Sequence, residues 1–365
     1  MILHIMTNSV FCFDYIEQIN LNFSDEHFFV VYKNQNDKSY FYNKFDNCFC
    51  IDSKKYDENK LDSLVKKSNL IIFHSLLLRF DLLYKFAFCN KKTAIVFWGA
   101  DLYDWCENKN SFKSIKSKFI YRCRELLRNR LIRNTNGLCF LASPDYNFFE
   151  KNYNHIKKNQ KIYYTIYSSE YIDGKFINFL NNLSSKSKSN KLNIMVGHSG
   201  SKMLNHVKVL SDLKKYKESF KIVLPLAYGN KDYINSIEKI SQEFCDVEIL
   251  KEMLPLKEYS KKINEIDILL INSNRQIAIG NISIAVLLRK YICLNEEGPN
   301  YDFFKNQLNM DIIGYNYFIN LTVSQKLECL SCVDVSKNYS IMMKWLSKEN
   351  FIESWQKIFE LKGIE

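Results

Sequence analysis

The stretch "TAIVFWGADLYDW" at Thr93–Trp105 decides the fold class of this chain. Its first part is a continuous apolar and β-branched run, which predicts a strand buried on both faces of a parallel sheet. The run breaks at Gly99 and passes directly into Asp101 and several aromatic residues. Open α/β sheets bind their ligands at the carboxyl ends of their strands, so we expect this strand to deliver a carboxylate to such a site.

The first half of the chain alternates between apolar strand-like runs and amphipathic helical patterns. Helices are predicted at Asn59–Lys67, Leu78–Cys89 and Phe112–Arg133. This alternation is typical of βαβ units and predicts a parallel sheet within a domain of residues 1–170. The predicted strands are Ile2–Met6, His27–Tyr32, Leu70–His74, Thr93–Trp98, Gly137–Ala142 and Ile162–Tyr167.

The same alternation restarts after a polar segment at 171–191, which ends in "NNLSSKSKSNK" and is predicted to be a linker. We predict a second α/β domain over 192–335 and a helical tail over 336–365 that could return to the first domain. Two such domains are expected to face a cleft. The predicted strands are Leu192–Val196, Lys221–Leu226, Val247–Leu250, Ile268–Asn272 and Tyr291–Leu294, and the helices are Met203–Tyr216, Asp232–Phe244, Leu256–Ile266 and Asn281–Arg289.

The composition favours two globular cores and no membrane span. The 365 residues are 47% hydrophobic, but no apolar run approaches the ~18 residues that a spanning helix needs. The N-terminal "MILHIMTNSVFCF" lacks the basic region and cleavage site of a secretory signal. Eleven scattered cysteines, an odd number, indicate a reducing cytosol. Cys48-x-Cys50 and Cys329-x-x-Cys332 each stand alone, so neither a metal nor a cofactor is predicted.

Two loops of the second domain are candidate anion sites. In "IMVGHSGSKMLNHV", Gly197, His198, Ser199 and Gly200 follow a strand and precede a helix, as a phosphate-binding loop would; a tight turn without a ligand is the alternative. In "NRQIAIGNIS", Arg275, Gly280 and Asn281 open the next such helix. Their alternative is an exposed arginine with Asn281 as the N-cap.

Polar residues at strand ends of the first domain are candidates for catalysis. His74 and Asp101 each follow an apolar run, and both are expected to overhang the ligand-binding edge. Asp101, beside Trp98 and Tyr103, could act as a base, bind sugar hydroxyls or cap the next helix. His74 and His4 could instead be hydrogen-bonded core residues.

The net charge of +11 predicts an anionic partner, and one predicted helix at 112–133 is strongly basic. Its apolar residues, including Phe112, Ile115, Phe119 and Leu126, recur at helical spacing. Three interpretations stay open: a core-packed helix with a solvated basic face, a helix on an anionic membrane surface, and an RNA-binding helix. Nucleic acid is disfavoured because no stacking aromatics or glycine loops of RNA modules are evident. The basic residues are Lys113, Lys116, Lys118, Arg122, Arg124, Arg128, Arg130 and Arg133.

These pieces together resemble the bacterial TDP-Fuc4NAc:lipid II transferases of enterobacterial common antigen assembly, a 4-alpha-L-fucosyltransferase-type family (glycosyltransferase family 56). The matching stretches keep their order over most of residues 2–310. They include "ILHIMTNS", "IIFHSLLLRFDLLYKF", "FWGADLYDW", "IMVGHSGSKMLNHV" and "NRQIAIGNISIAVLLRKYICLNEEGP". The final third of the second domain and the tail match poorly.

The resemblance implies a GT-B glycosyltransferase with two Rossmann-like domains facing a cleft and no required metal. Its second domain would hold a TDP- or UDP-linked deoxyamino sugar such as Fuc4NAc, and its first domain would meet a lipid-linked or other cell-envelope glycan. The implied location is the cytoplasmic side of the inner membrane, contacted through the basic helix. The implied donor contacts are Gly197, His198, Ser199, Gly200, Arg275, Gly280, Asn281 and Glu258; His4, Trp98 and Tyr103 would lie on the acceptor side, with Asp101 or His74 as the base.

Three departures from the family pattern fall in the implied donor site. His198 replaces the usual Asn, Ser201 an Asp, and Ala278 a Gly. They leave the sugar and the nucleotide open. The acceptor could also be a lipooligosaccharide or a capsule intermediate. A different class of function, a non-enzymatic basic protein that binds RNA or anionic lipid, is the alternative.

Overall fold

The chain forms two compact α/β units in a computed structural model, which describes residues 1–32, 44–51, 57–107, 114–167, 174–183 and 191–363. The first unit comprises Met1–Asp173 and Leu346–Glu365, and the second comprises Gly174–Trp345. The structure therefore ends the second unit at Trp345, beyond the predicted limit at 335. The predicted linker also contains a helix, at Lys175–Asn181, that buries three apolar side chains and so is more than a spacer.

The first unit is built on a seven-stranded parallel sheet in the order β3-β2-β1-β4-β5-β6-β7. Its strands are β1 (Ile2–Thr7), β2 (His27–Tyr32), β3 (Cys48–Ile51), β4 (Leu70–His74), β5 (Lys92–Val96), β6 (Gly137–Phe140) and β7 (Lys161–Tyr164). Its helices are α1 (Val10–Asn22), α2 (Glu58–Lys67), α3 (Phe80–Ala87), α4 (Trp105–Glu107), α5 (Ile115–Asn134), α6 (Ser143–Tyr153) and α16 (Lys348–Phe359).

The second unit has a six-stranded parallel sheet in the order β10-β9-β8-β11-β12-β13. Its strands are β8 (Leu192–Val196), β9 (Phe220–Pro225), β10 (Val247–Leu250), β11 (Ile268–Ile271), β12 (Tyr291–Leu294) and β13 (Ile313–Gly314). Its helices are α7 (Lys175–Asn181), α8 (His206–Leu213), α9 (Lys231–Ser241), α10 (Leu256–Asn264), α11 (Ile279–Leu287), α12 (Pro299–Tyr301), α13 (Tyr315–Asn320), α14 (Val323–Ser331) and α15 (Val335–Trp345).

The central strands of the first sheet are largely apolar because both of its faces are buried in a core. All five residues of β4 are buried. Ile71 and Phe73 belong to the core on one face, whereas Leu70 and Ile72 belong to the core on the other. The continuous apolar runs of the sequence therefore predict the strands well, as expected for parallel sheets.

Each sheet has one point at which the strand order reverses. In the first unit it lies between β1 and β4, and in the second between β8 and β11. The connections from two such neighbouring strands leave on opposite faces of the sheet, which opens a crevice at their carboxyl ends. These two points therefore mark where each unit can bind a ligand.

Helix α16 completes the core of the first unit although it lies at the other end of the chain. Trp355 is fully buried, donates its indole N–H to the Ile166 carbonyl at 3.0 Å, and packs against Tyr15 at 4.6 Å between ring centroids. Phe351 and Ile358 of the same helix join this core. The first sheet thus depends on residues that follow the whole second unit in sequence.

We expect Trp355→Ala to lower the free energy of unfolding of the first unit by about 3–5 kcal/mol, because it removes a buried indole and leaves a cavity. Hydrogen exchange of β1 and β4 amides measures this, with β8 amides as the internal reference. Gln356→Ala, at the exposed neighbouring position, is the control. Equal protection of β1 in both variants would contradict the role given to α16.

Candidate functional site

The loop after β5, which forms the later part of the stretch Thr93–Trp105, is held in place by the buried side chain of Asp101. Gly99 has a φ of 90°, and a π-helical turn follows at Ala100–Asp104. The Asp101 carboxylate accepts the N–H of Leu76 at 2.9 Å and that of Trp98 at 2.8 Å. It therefore ties the loop after β4 to the end of β5.

Asp101 is fully buried, so the expectation that it overhangs the edge of the sheet is wrong. Burial raises the pKa of this carboxyl, while the two backbone N–H groups and the charge of Arg128 oppose the rise. Arg128 is itself buried and donates to the Asp101 carbonyl. Both carboxylate oxygens already accept backbone hydrogen bonds, and this geometry braces two loops.

Tyr103 lies in the same buried network, so its side chain is not accessible to an acceptor. Its hydroxyl donates to Asp145 at 2.8 Å, and burial raises the pKa of Asp145 to about 7. Trp98 is only partly buried, and its ring meets Tyr167 edge-on at 4.6 Å between centroids. Of these two predicted acceptor-side residues, only Trp98 lies partly at the surface of its unit.

His74 and His4 are likewise buried, which contradicts the expectation that His74 overhangs the edge of the sheet. His4 Nδ1 lies 3.0 Å from His74 Nε2, and His4 Nε2 lies 2.9 Å from His27 Nδ1. Burial lowers the pKa of all three imidazoles. Sequence reasoning missed His27, because only the pairing of β2 with β1 shows that it lies beside His4.

In the second unit, the structure brings the two predicted donor loops together. They follow β8 and β11, the strands that flank the reversal of strand order. The Gly197 N–H donates to the Leu270 carbonyl at 2.9 Å, and the Asn205 side chain donates to the Asn272 carbonyl at 3.0 Å. The pairing of adjacent parallel strands thus produces the juxtaposition that the sequence only suggested.

The glycines of the first loop are needed for packing. Gly197 has a φ of 71°, and a Cβ there would lie 2.3 Å from His206 Nε2. Gly200 donates its N–H to the Tyr228 carbonyl at 2.7 Å, and a Cβ there would meet Ile234. The Gly200 N–H is therefore not free for a phosphate, contrary to the expected cradle, and the tight-turn alternative fits this position.

His198 and Ser199 lie inside the same loop. Ser199 is buried, and burial lowers the pKa of His198 to about 4. The His198 imidazole is therefore neutral at pH 7, and it can offer a ligand one hydrogen bond without a charge.

The second loop leaves a helix N-terminus uncapped. The N-cap of α11 is Ala278, which has no side-chain oxygen, and the first intrahelical bond runs from Ile282 N–H to the Ala278 carbonyl. Asn281 lies within the first turn, so the alternative that made it the N-cap is wrong. A Cβ on Gly280 would meet nothing within 4 Å, so this turn is open to an approaching group. Such a terminus attracts anions through its N–H groups and its dipole.

The remaining predicted donor residues are placed differently. Arg275 is partly buried in the loop that leads to α11, and its backbone N–H donates to Ser273 Oγ at 3.1 Å. Glu258 is exposed on α10, which follows the edge strand β10, and it accepts from Lys261 Nζ at 2.8 Å. Arg275 thus shares the β8–β11 crevice, whereas Glu258 starts from the far edge of the sheet. Among the residues that the structure describes, no three His, Cys, Asp or Glu side chains are grouped to hold a metal ion.

Comparisons with known proteins identify the family of this chain from its sequence and the fold from solved structures. A profile of the family described as "4-alpha-L-fucosyltransferase glycosyl transferase group 56" matches residues 7–362. A glycosyltransferase from Rickettsia africae ESF-5 is similar in structure, with 12% identity, a TM-score of 0.66, and coverage of 99% of this chain and 98% of that chain.

Two further solved structures share this architecture. Sucrose-phosphate synthase from Thermosynechococcus elongatus has 8% identity, a TM-score of 0.68, and coverage of 99% and 98% of the two chains. An E. coli structure titled "Trehalose-6-phosphate from E. coli bound with UDP-2-fluoro glucose" has 12% identity, a TM-score of 0.61, and coverage of 100% of both chains. At these identities the likeness shows the GT-B fold.

We expect Ala278→Gly to raise the free energy of unfolding of the second unit by about 1 kcal/mol. Ala278 has a φ of 65°, a left-handed conformation that costs non-glycine residues about 1–2 kcal/mol. Ala285→Gly, inside α11, should instead lower it by about 1 kcal/mol. Denaturant unfolding of both variants measures the pair, and a loss of stability in Ala278→Gly would contradict the strain.

Proposed function

Because the chain belongs to glycosyltransferase group 56 and is a GT-B sugar transferase, we propose that it moves a deoxyamino sugar from a nucleoside diphosphate to a cell-envelope glycan. The proposed donor is a TDP- or UDP-linked sugar of the Fuc4NAc type, and the proposed acceptor is lipid-linked. The observation that carries the donor site is the uncapped N-terminus of α11, beside Arg275, at the β8–β11 crevice.

The chemistry of a diphosphate fits that crevice. As the sugar leaves, negative charge develops on the diphosphate, and fixed positive groups stabilise that charge most in the transition state. The α11 terminus supplies N–H groups and the positive end of a helix dipole, and Arg275 supplies a guanidinium that can bind a phosphate through two hydrogen bonds. Gly280 lets the phosphate approach the backbone. The E. coli relative that holds UDP-2-fluoro glucose supports a nucleotide-sugar donor in this fold.

We propose further that Gly197–Gly200 shapes this crevice without cradling the phosphates. The N–H of Gly200 is already bonded, but His198 stands where its family has Asn and can contact the sugar or the nucleotide. Glu258 would reach the ribose only from the exposed side of α10. This placement makes the α11 loop the main source of binding energy.

The first unit is proposed to meet the acceptor at the β1–β4 crevice, with Trp98 at its edge. The roles of Asp101 and His74 as a base stay predictions. The buried geometry of Asp101 supports a positioning role, in which its carboxylate holds the loops after β4 and β5 around the acceptor. His4 and Tyr103 would then act through their buried hydrogen bonds.

Calorimetric titration with TDP, UDP, GDP, CDP and ADP, without added metal, tests the donor site. We expect TDP or UDP to bind selectively, and a ligand at 100 times its Kd should stabilise the protein by about 2.7 kcal/mol. Arg275→Gln should weaken that binding by about ten- to a hundredfold, the value of a hydrogen bond to a charged group.

The matched control is Arg289→Gln. Arg289 lies just beyond the opposite end of α11, where its guanidinium stacks on Tyr339 at 4.1 Å. If no nucleoside diphosphate binds the wild-type protein, the donor proposal fails. The non-enzymatic alternative would then be tested by salt-dependent binding of RNA.

The basic helix α5 has an apolar stripe that points into solvent. Ile115, Phe119 and Leu126 are 89%, 67% and 72% exposed. The side that faces the core instead carries Tyr121, Arg128, Leu131 and Ile132. The interpretation of these apolar residues as the core-facing side is therefore wrong; Phe112 and Lys113 lie outside the described residues.

Helix α3 extends the same exposed surface. Phe80 and Tyr84 on α3, and Phe88 just after it, are about half exposed at a spacing of four residues. Arg130 of α5 joins the two helices, since it donates to the Ala87 carbonyl at 2.9 Å and covers the Phe88 ring. Both helices cover the same face of the first sheet. We call these six exposed side chains the α3–α5 patch: Phe80, Tyr84, Phe88, Ile115, Phe119 and Leu126.

We propose that the α3–α5 patch binds an anionic membrane surface, at the cytoplasmic face of the inner membrane. Exposed aromatic and aliphatic side chains insert at the headgroup level, and neighbouring lysines and arginines attract anionic lipids. Lys118 and Arg122 are exposed on the same side of α5 as the apolar stripe. In the part of the chain that the structure describes, no helix is both long and apolar enough to cross a membrane.

Co-sedimentation with vesicles of mixed anionic and neutral lipids tests the patch. The double variant Phe119→Ser, Leu126→Ser should bind at least about tenfold more weakly, because each buried side chain contributes about 1.5–3 kcal/mol. Tyr317→Ser, equally exposed on the second unit, should bind normally. Arg122→Gln should weaken binding to anionic vesicles only. Unchanged binding of the double variant would overturn the proposal.

A further inference from the structure

Three buried imidazoles form one hydrogen-bonded chain across three neighbouring strands of the first sheet. His27 begins β2, His4 lies within β1, and His74 ends β4. The nitrogen pairs are 2.9 and 3.0 Å apart, and each of the two outer rings is within 5.3 Å of the His4 ring centroid. The chain therefore runs from the amino end of one strand to the carboxyl end of another.

The hydrogen bonds of His4 couple the protonation of all three rings. A neutral imidazole donates from one nitrogen and accepts at the other. Because His4 bonds a histidine through each nitrogen, only two arrangements satisfy both bonds. Either all three rings carry their hydrogen on Nε2, or all three carry it on Nδ1. A change at one end of the chain therefore changes the tautomer at the other end.

His74 and His27, the two outer rings of the imidazole chain, are both buried. His74 Nδ1 and His27 Nε2 have no hydrogen-bond partner among the described residues. The rings of Tyr15 and Tyr167 lie 4.7 and 5.5 Å from the His74 ring, and their hydroxyls are equally unpartnered. Since buried polar groups are normally bonded, these three groups beside the β1–β4 crevice call for a water molecule or a ligand hydroxyl.

The charges near the chain lie at the His27 end. Asp25 raises the pKa of His27, while Lys362 and the N-terminal amine lower it, and burial brings it to about 4. Burial is the cause for His74, and the two neighbouring histidines add to it for His4. Asp25 is itself ion-paired with Lys362, and we assign the outer hydrogen of the imidazole chain to His27 Nε2, at the end where the charge of Asp25 acts. In that arrangement His74 Nδ1, a buried nitrogen at the carboxyl end of β4, keeps its lone pair.

We propose that His27, His4 and His74 form a proton relay that serves the acceptor crevice; the proposal rests on the glycosyl-transfer function. The acceptor hydroxyl loses a proton as its oxygen bonds to the sugar, and this proton passes, through water, to His74 Nδ1. His74 Nε2–H then donates its proton to His4 Nδ1, and His4 Nε2–H donates to His27 Nδ1. His27 holds the added proton only transiently, because its lowered pKa favours the neutral ring, and the same path returns the proton to solvent after product release.

A purely structural role explains less of the geometry. Apolar side chains would fill three buried strand positions without the cost of burying polar rings. A single pair of histidines would be enough to satisfy one hydrogen bond between them. Three rings in line provide a path along which a proton can pass. The unpartnered nitrogen at the crevice end is the feature that a relay requires.

Nitrogen NMR of histidine-labelled protein tests the relay without substrate. The chain has six histidines, so their signals can be assigned by substitution. His4, His27 and His74 should all be neutral with hydrogen on Nε2. His27→Gln should move the ring-nitrogen signals of His74, to which His27 is connected through the His4 ring. His155→Gln, at an exposed site, should not move them. Different tautomers among the three rings, or an unmoved His74, would overturn the relay.

Kinetics of the protein complete the test. His4→Gln should lower kcat by about 10², the lower range for lost proton transfer, with KM unchanged. It should also remove the multiple-proton solvent isotope effect of the wild type. His155→Gln should behave as wild type, and full kcat in His4→Gln would reject the relay. If the wild type releases no nucleoside diphosphate, the proposed function fails. The NMR result then still decides whether the protonation of the three imidazoles is coupled.

Discussion

The parallel pairing of β1 with β4, and of β8 with β11, is the constraint on which both candidate sites depend. Parallel strands must be joined by crossovers, and the crossovers leave on opposite faces where the strand order reverses. In the second unit this places the uncapped α11 beside the loop after β8. In the first unit it places His4 beside His74. Neither group of residues is local in sequence.

Charged and polar groups inside the first unit brace its loops. Asp101 binds two backbone N–H groups from different loops, and Arg128 binds the Asp101 carbonyl. A buried carboxylate is costly unless its oxygens are bonded, and here both are. These buried groups fix the loops after β4 and β5, which explains why Asp101 interrupts the aromatic stretch that follows β5.

The surface of the first unit combines two kinds of side chain that soluble helices usually keep apart. On α5 the residues that face the core include an arginine, and the residues that face solvent include Ile115 and Phe119. An exposed apolar patch of this size indicates an interaction surface. Its basic neighbours are the reason why an anionic bilayer is the partner proposed for it.

The sequence by itself determined the fold class and most strand positions, because strands buried on both faces are apolar without a break. Leu70–His74, Leu192–Val196 and Tyr291–Leu294 were predicted to the residue. Some elements were not predicted, among them the edge strand β3 and the 13-residue helix α1. The family motifs also pointed to the loops after β8 and β11, which the donor proposal uses.

Only the tertiary structure decided which polar residues are accessible. Asp101 and His74 follow apolar runs, as exposed site residues do, yet helices and loops from distant parts of the chain cover them. Trp355, which packs over His74, arrives from the far end of the sequence. The hydrogen bond between His27 and His4 also depends on the tertiary structure, because strand register creates it. The exposure of the apolar stripe of α5 is likewise decided by packing. Burial and register are set by non-local packing, so a local pattern cannot contain them.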